Sequence, residues 1–279
     1  MKKILFIIVT LLFIISCDKI EKPYKVEKPK VLISVDTPDF PIVNNYIQKI
    51  LLEEYTGHKC NNCPEGHEIV AKMQKVMQDT LVVLAIHATK QAESDNNTIF
   101  SNDYRTEAGN DYSQVFGITF LPNATINRKQ FNGNFGIDKG EWNNSVANFQ
   151  GKKPSVGIQI IPIFNNPQDT AFVFVKVAEI ETLKSNLRLC VLLSEDDIVS
   201  PQLTGKGVDS LYTHNHMLRA NISPIWGTDL ISLYSNGYEL LAYALPISSK
   251  WNVANCHVVA FVYDADTYEV LQVETTNLK

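Results

Sequence analysis

Two cysteines at a C-x-x-C spacing are the residues of this sequence best placed to do chemistry. Cys60 and Cys63 lie in the stretch "TGHKCNNCPEGH", and Pro64 follows the second of them directly. Proline is tolerated only among the first, unpaired positions of a helix, so we predict a helix that begins at one of the two intervening asparagines. Cys60 then precedes the first turn, where free amides and the helix dipole lower the pKa of a thiol.

Three kinds of chemistry fit this pair. In thiol–disulfide exchange, Cys60 would be the nucleophile and Cys63 the resolving thiol, and Lys59 would lower the pKa of Cys60 further. In an exported chain the same pair forms a structural disulfide. The third possibility is a Cu(I) or Zn carrier, because soft thiolates combined with His58 and His67 suit these metals.

Five other residues could contribute to a site. His214 and His216 alternate, so on a strand they would share one face. We expect them to satisfy backbone groups at the domain junction, with a two-histidine ligand set as the alternative. Cys190 and Cys256 lie in apolar strand-like segments. We expect both to be buried free thiols, with a disulfide between them as the alternative. His87 ends an apolar run, and we expect it to cap a strand.

The N-terminus predicts export and lipid anchoring. Two lysines at positions 2 and 3 precede an apolar run from residue 4 to residue 15, which is shorter than the roughly 20 residues that span a membrane. This is the pattern of a secretory signal. The following Ser16-Cys17 resembles the lipobox of bacterial lipoproteins, in which the cysteine is lipidated and becomes the mature N-terminus. We therefore predict a signal peptide over residues 1–16 and lipidation of Cys17.

Charge and composition exclude one class of partner. Loss of Lys2 and Lys3 with the signal changes the formal net charge from −5 to −7, and an acidic exported protein without a basic patch is not expected to bind nucleic acid. Residues 17–30 comprise Cys17 and a charged, proline-containing tether to the membrane. No sequence motif indicates a cofactor.

The remaining chain changes character near residue 152. Before it, predicted strands (31–36, 49–57, 80–88 and 123–128) alternate with predicted helices that end near 78, 117 and 150, an order typical of an α/β layer fold. The polar residues 89–104 are long for a plain loop, so we expect them to lie over a site. After residue 152 almost every segment alternates as a strand does, which predicts an all-β sandwich over residues 153–279.

The first half resembles thioredoxin-like proteins. "FGITFLPNATIN", residues 116–127, resembles the segment that carries their cis-proline opposite the cysteine pair. The resemblance implies a thioredoxin-like domain over residues 31–152 and a cis peptide before Pro122 close to the cysteines. The tryptophan and Gly-Pro of thioredoxins are here Lys59 and two asparagines, which leaves the direction of any redox reaction open.

The whole chain resembles a narrower family. The lipobox, "EEYTGHKCNNCPEGH", "FLPNATINR" and "HNHMLRA" together are similar to Bacteroidetes outer-membrane lipoproteins named after an outer membrane protein of twenty-eight kilodaltons. The resemblance implies a thioredoxin-like domain followed by a β-sandwich, held at the outer membrane in the cell envelope. Thiol–disulfide exchange and a non-enzymatic binding or adhesion module for a protein or glycan remain alternatives.

Overall fold

A computed structural model describes residues 35–165, 169–183 and 186–279. The predicted signal peptide, Cys17, the tether and the first four residues of the predicted strand 31–36 lie outside the described residues. Val35 and Asp36 are not in a strand. Residues 37–279 form one compact unit. None of the helices in the described part of the chain has the length and apolar character needed to span a membrane.

Strands and helices alternate in the first half for reasons that are visible in the residues. All seven residues of Leu81–His87 are buried, as expected for a near-continuous apolar run in a central strand. In the first helix Val70 and Met73 are buried on one stripe. Thr106 caps the next helix by accepting a hydrogen bond from the Gly109 amide at 2.9 Å. The elements are β1 (Ile50–Thr56), α1 (Cys63–Met77), β2 (Leu81–His87), α2 (Glu107–Val115), β3 (Asn123–Ile126), β4 (Ile137–Asp138) and α3 (Trp142–Ala147).

The predicted elements between residues 49 and 150 are confirmed, with ends that differ by at most three residues. The helix that follows the cysteines has Asn62 as its N-cap residue, although the Asn62 side chain makes no capping hydrogen bond. The Leu121-Pro122 peptide bond is cis, as predicted.

The second half consists almost entirely of strands, so the predicted β-rich character is confirmed. The elements are β5 (Val156–Asn165), β6 (Thr170–Glu179), β7 (Leu187–Glu195), β8 (Ile198–Val199), β9 (Gln202–Thr204), β10 (Gly207–Asp209), β11 (Thr213–His214), β12 (Met217–Asn221), β13 (Thr228–Asp229), α4 (Leu233–Asn236), β14 (Tyr238–Pro246), β15 (Cys256–Asp264) and β16 (Val270–Asn277).

One sheet runs through both halves of the chain. Its order is β16-β15-β7-β12-β2-β1-β3-β4, with β13 beside β7. β1 and β2 are parallel, and β3 is antiparallel to β1. The join between the halves is β12, which pairs in parallel with β2 at Met217 and Ala85. The Ala85 amide of β2 also donates a hydrogen bond of 2.7 Å to the carbonyl oxygen of His216, the residue before β12. The boundary at residue 152 stays a prediction, and backbone hydrogen bonds of this sheet join strands from either side of it.

A three-stranded sheet, ordered β14-β6-β5, packs over part of the large sheet. Alternate residues of β6, such as Val173 and Val175, point into a core shared with Leu189 and Val191 of β7. A second cluster fills the other face of β7 and reaches β2 and α2. Because a strand points successive side chains to opposite faces, the other face of the three-stranded sheet is directed away from the core.

Glu53 of β1 and Arg128, which follows β3, form a buried ion pair. The chain leaves β3 through Asn127 and Arg128, both with positive φ, and Arg128 is 0 % exposed. Its Nε and Nη2 donate to the two carboxylate oxygens of Glu53 at 2.8 Å and 2.6 Å, and the Thr125 hydroxyl donates to the same carboxylate. The guanidinium also lies 4.3 Å from the centre of the Tyr112 ring. β1 is thereby joined to the segment that follows β3.

Candidate functional site

The cysteine pair is a disulfide at the start of α1. The Cα atoms of Cys60 and Cys63 are 5.5 Å apart. The Cys60 amide donates to the Gly57 carbonyl oxygen at 2.9 Å, which closes a turn between the end of β1 and the helix. Cys60 is 5 % exposed and Cys63 is 0 % exposed. The predicted position of Cys60 before the first turn is confirmed, and both cysteines are buried.

Two later segments cover the loop that carries the disulfide. The Lys59 amide donates to the Gln91 carbonyl oxygen at 2.9 Å, so residues 89–104 do lie against the cysteine loop. From β9, the Gln202 side chain donates to the Cys60 carbonyl oxygen at 2.9 Å. The next residue, Leu203, donates its amide to the His58 carbonyl oxygen at 2.7 Å. The loop is therefore held by hydrogen bonds to its backbone from both sides.

Gly57 makes this close packing possible. A Cβ atom at this position would come within 2.6 Å of the Gln91 carbonyl carbon, which is backbone and has little room to move. Any larger residue at position 57 would push residues 89–92 away from the cysteine loop.

A cavity of about 260 Å³ lies between β1, α1, β2 and the segment that contains β11. Polar side chains converge on it, which is typical of a binding site: His67 accepts or donates through Nε2 to the Thr56 hydroxyl at 2.9 Å and through Nδ1 to the Tyr212 hydroxyl at 2.6 Å. The polar residues that line the cavity are Glu54, His67, Glu68, Gln74, His87, Tyr212, Thr213, His214, Asn215 and His216.

Glu54 is the most perturbed acid of this cavity. It is 2 % exposed, and its Oε1 has no hydrogen-bond partner among the described residues although His67 Nε2 is 3.6 Å away. Burial raises the pKa of Glu54 well above its ordinary value, which favours the neutral, protonated form of this carboxyl. A Cβ at Gly66 would come within 2.7 Å of Oε1, so the glycine lets α1 approach the acid. Glu54 was not predicted from the sequence, where its only signal is a pair of adjacent acidic residues, Glu53 and Glu54, within a mostly apolar strand.

Three buried histidines connect the cavity, which His87 and His214 line, with the loop before the disulfide, which carries His58. His58 stacks on Phe100, and His87 packs edge-on against His214 with ring centroids 5.5 Å apart. Tyr104 lies among all three rings. No ring nitrogen of the three makes a hydrogen bond of normal geometry with a described residue.

All the buried imidazoles of this region favour the neutral form. Burial lowers the pKa of His58 to about 4, with Lys59 adding to the effect. It lowers the pKa of His214 to about 4 and that of His67 to about 3. His87, which is fully buried, has its pKa lowered well below 6.5 by burial and then by His214. We call His58, His67, His87 and His214 the buried histidine cluster, in which His67 is half-buried and the other three are fully buried.

The predicted two-histidine face is wrong. His216 has a positive φ of 57°, so the strand breaks between it and His214 and the two rings take different partners. His214 lies against Tyr212 and His87, whereas His216 Nε2 pairs with Gln74 at 3.1 Å. On its other side His216 contacts Asp196, which also binds His257 at 3.1 Å.

The proposed metal ligands His58 and His67 have other surroundings. His58 packs against Phe100 and Tyr104, and His67 is hydrogen-bonded to Thr56 and Tyr212. Within the described ranges, no group of three or more histidine, cysteine or acidic side chains is arranged to hold a metal ion.

The remaining predicted residues are placed as follows. Pro122 lies against α1, with its Cβ 3.1 Å from where a Cβ of Gly66 would be. Cys190 and Cys256 are buried and free, which confirms the first of the two expectations. Cys190 pairs with Phe261 across the sheet and Cys256 lies five residues earlier in the same strand, so the two thiols cannot meet.

Comparison with known proteins gives one family. The profile of the family described as outer membrane protein Omp28 matches residues 109–279. A comparison with curated proteins gave no match.

The fold of this chain is similar to those of several solved structures. HBP35 of Porphyromonas gingivalis is 16 % identical with a TM-score of 0.67, over 84 % of this chain and 76 % of the other. A protein from Agrobacterium tumefaciens is 13 % identical with a TM-score of 0.51, over 84 % and 96 %. A domain of the outer membrane lipoprotein Omp28 from P. gingivalis is 22 % identical, over 45 % and 89 %, but its TM-score of 0.35 is too low to support an argument.

Proposed function

The chain belongs to the family of outer membrane protein Omp28, and from this premise we propose that it is an outer-membrane lipoprotein anchored through Cys17 that carries out thiol–disulfide exchange at Cys60 and Cys63. Its location is the outer membrane of the cell envelope. The anchor is supported by the lipobox-like end of the signal sequence. Several acyl chains on one residue would hold the protein stably, whereas a single chain gives only marginal binding.

Replacement of Cys17 by alanine should release the protein from the membrane. Without the thiol there is no attachment point for the acyl chains, so the variant should be recovered as soluble or unprocessed chain. The measurement is cell fractionation together with incorporation of radiolabelled palmitate, with Cys190→Ala as the control that keeps the anchor. If the Cys17→Ala chain takes up label and sediments with membranes as the wild type does, anchoring at Cys17 is wrong.

The order of elements in the first half supports a thioredoxin-like arrangement. Strand, cysteine pair, helix, parallel strand, helix, antiparallel strand and final helix follow one another as they do in that fold, from β1 to α3. We place this arrangement over residues 31–152, and the β-sandwich over residues 153–279. In this arrangement the cysteine pair lies where β1 passes into α1, at the end of the parallel strands where sites of α/β sheets lie.

The observation that carries the exchange proposal is the buried carboxyl of Glu54 beside the helix that begins at the disulfide. Glu54 is buried with an unpaired oxygen next to the first turns of α1. A protonated carboxyl with a raised pKa can donate a proton to the thiolate that is released when the disulfide opens, and it can take the proton back when the disulfide re-forms. The helix start further favours a thiolate at Cys60.

In the proposed exchange, the reduced cysteine pair passes two electrons to a disulfide of a partner protein in two steps. The Cys60 thiolate attacks a sulfur of the partner's disulfide, forms a mixed disulfide and releases one partner thiolate. The Cys63 thiolate then attacks Cys60 Sγ, re-forms the Cys60–Cys63 disulfide and releases the second partner thiolate. The partner is reduced by two electrons and the protein is oxidised by two. The reverse sequence oxidises a partner dithiol.

The two cysteines should behave differently when each is replaced. Reduced Cys63→Ser should form a stable mixed disulfide with oxidised glutathione on Cys60, because no resolving thiol remains. Cys60→Ser should form none, since Cys63 is fully buried. The adduct is measured by intact mass, with Cys190→Ser as a control that should turn over as the wild type does. Equal labelling of both variants, or labelling of neither, would contradict the assignment.

A second function is favoured by the covering of the cysteines. Both are buried, and β9 and residues 89–104 hold their loop by backbone hydrogen bonds. In a non-enzymatic module that binds a protein or glycan, the disulfide would only fix this loop. Failure of the glutathione experiment together with an unchanged Cys17-dependent location would favour this module.

A further inference from the structure

The outer face of the three-stranded sheet is apolar, and it is exposed along β14 and half-buried on β5 and at Phe172 of β6. Within β14, every second residue from Tyr238 to Pro246 is exposed while the residues between them are half-buried. The half-buried set packs onto the core, so the exposed set points outward. Register extends this face across the sheet, because Phe172 of β6 pairs with Ala244 on one side and with Ile163 on the other. We call Ile161, Ile163, Phe172, Leu240, Ala242 and Ala244 the outer apolar face.

The outer apolar face is only partly covered: Phe174, which lies on the same face between Ile161 and Ala242, is buried. None of its residues belongs to a hydrophobic core cluster, and Leu240 is 41 % exposed. One corner of the same sheet is covered: the Tyr46 ring lies over Gly157, where a Cβ would come within 2.4 Å of it. A contiguous apolar surface of this kind marks a contact with another protein or with a membrane.

Its position relative to the start of the chain indicates the occupant. The Pro41 carbonyl oxygen accepts a hydrogen bond from Gln159 at 2.8 Å, so the chain that follows the anchor enters along this face. Ile42 lies there with 90 % of its surface exposed. The 18 residues from Cys17 to Ser34 can span at most about 60 Å. The face therefore stays within reach of the bilayer that holds the anchor.

Charge on this face also suits a phospholipid surface. Lys176, opposite Leu240, is the charged residue of the outward-facing positions, and its ammonium lies 5.3 Å from the centre of the Tyr238 ring. A lysine beside a tyrosine at the border of an apolar patch is typical of side chains at a membrane interface.

We propose that the outer apolar face rests on the phospholipid surface of the membrane to which the chain is anchored. This inference rests on the proposed anchoring at Cys17 and is independent of the exchange reaction. The contact would orient the sheet towards the bilayer and supplement the lipid anchor with a weak, reversible attachment, as apolar area buried at an interface does.

The test uses residues 17–279 with Cys17→Ala, so that no acyl chain contributes, and vesicles of phosphatidylethanolamine and phosphatidylglycerol. We expect lipid-dependent co-sedimentation that falls by about tenfold in Leu240→Asp and in Ala242→Asp, because a charge must then be placed in the apolar contact. Val76→Asp, at a residue of α1 that is 81 % exposed, is the matched control and should bind as the parent does. Circular dichroism checks that each variant is folded.

Three outcomes would overturn the proposal. One is no sedimentation of the parent at any lipid concentration, and another is an equal loss in the Val76→Asp control. The third is a dimer in light scattering without vesicles that Leu240→Asp abolishes, which would assign the face to a second copy of the chain. Because the chain lacks its anchor here, all three are distinct from failure of the Cys17→Ala fractionation experiment.

Discussion

Replacement of Arg128 by methionine should lower the free energy of unfolding by about 3–5 kcal/mol. Arg128 and Glu53 are both 0 % exposed, and the two hydrogen bonds between them neutralise charges that no water reaches. Methionine fills similar space but leaves the Glu53 carboxylate without its cation. Urea denaturation followed by intrinsic fluorescence measures the change.

Lys129→Met is the matched control for this experiment. Lys129 is the next residue and also pairs with a glutamate, at 3.0 Å from Glu269, but this pair is exposed to solvent. An exposed pair contributes about 0–1 kcal/mol. A loss below about 1 kcal/mol in Arg128→Met, or equal losses in the two variants, would show that the buried pair does not hold β1 to the end of β3.

Acid should destabilise the protein steeply below neutral pH. Each member of the buried histidine cluster has a folded pKa below its unfolded value of about 6.5, so the unfolded chain binds the proton first. The stability that these four histidines contribute is therefore fully present above about pH 6.5. It is lost as the pH falls, by up to about 1.4 kcal/mol per pH unit for each histidine. Glu54, whose folded pKa is raised, opposes this loss above about pH 4.5. A net loss of roughly 2–4 kcal/mol per unit remains.

His87→Phe isolates one member of the cluster. Neither ring nitrogen of His87 has a hydrogen-bond partner among the described residues, so phenylalanine should be tolerated at pH 7.5. Below pH 6.5 the His87→Phe variant should lose less stability per pH unit than the wild type, by the amount that corresponds to the uptake of about one proton on unfolding. His257 has its pKa raised by Asp196, so its contribution is present at low pH and is lost as the pH rises, and His257→Gln should not reduce the acid slope. An unchanged slope in His87→Phe would contradict this account.

The elements around the disulfide could be predicted because their signals are local. Pro64 and the asparagines before it set the start of α1, and the apolar run of β2 requires cover on both faces. The position of Cys60 before the first turn follows from the same proline. Burial of free Cys190 and Cys256 follows from their apolar strands.

The rest of the site depends on pairings that lie far apart in the chain. β12 joins β2 across about 130 residues, and only this pairing brings His214 beside His87. β9 reaches the Cys60 loop in the same way. Glu53 and Glu54 are adjacent acidic residues that a single sequence suggests are exposed, yet Glu53 is paired with Arg128 and Glu54 has its pKa raised by burial. Sequence periodicity shows none of these partners.

The reduction potential of the Cys60–Cys63 pair tests the proposed exchange function most directly. It is measured by equilibration with glutathione or dithiothreitol buffers, with alkylation of free thiols and intact-mass detection. An exchanging pair should have a potential near or above that of thioredoxin, about −270 mV, because it must be reduced and re-formed by partners. A potential below about −300 mV would contradict the exchange function and identify the disulfide as structural.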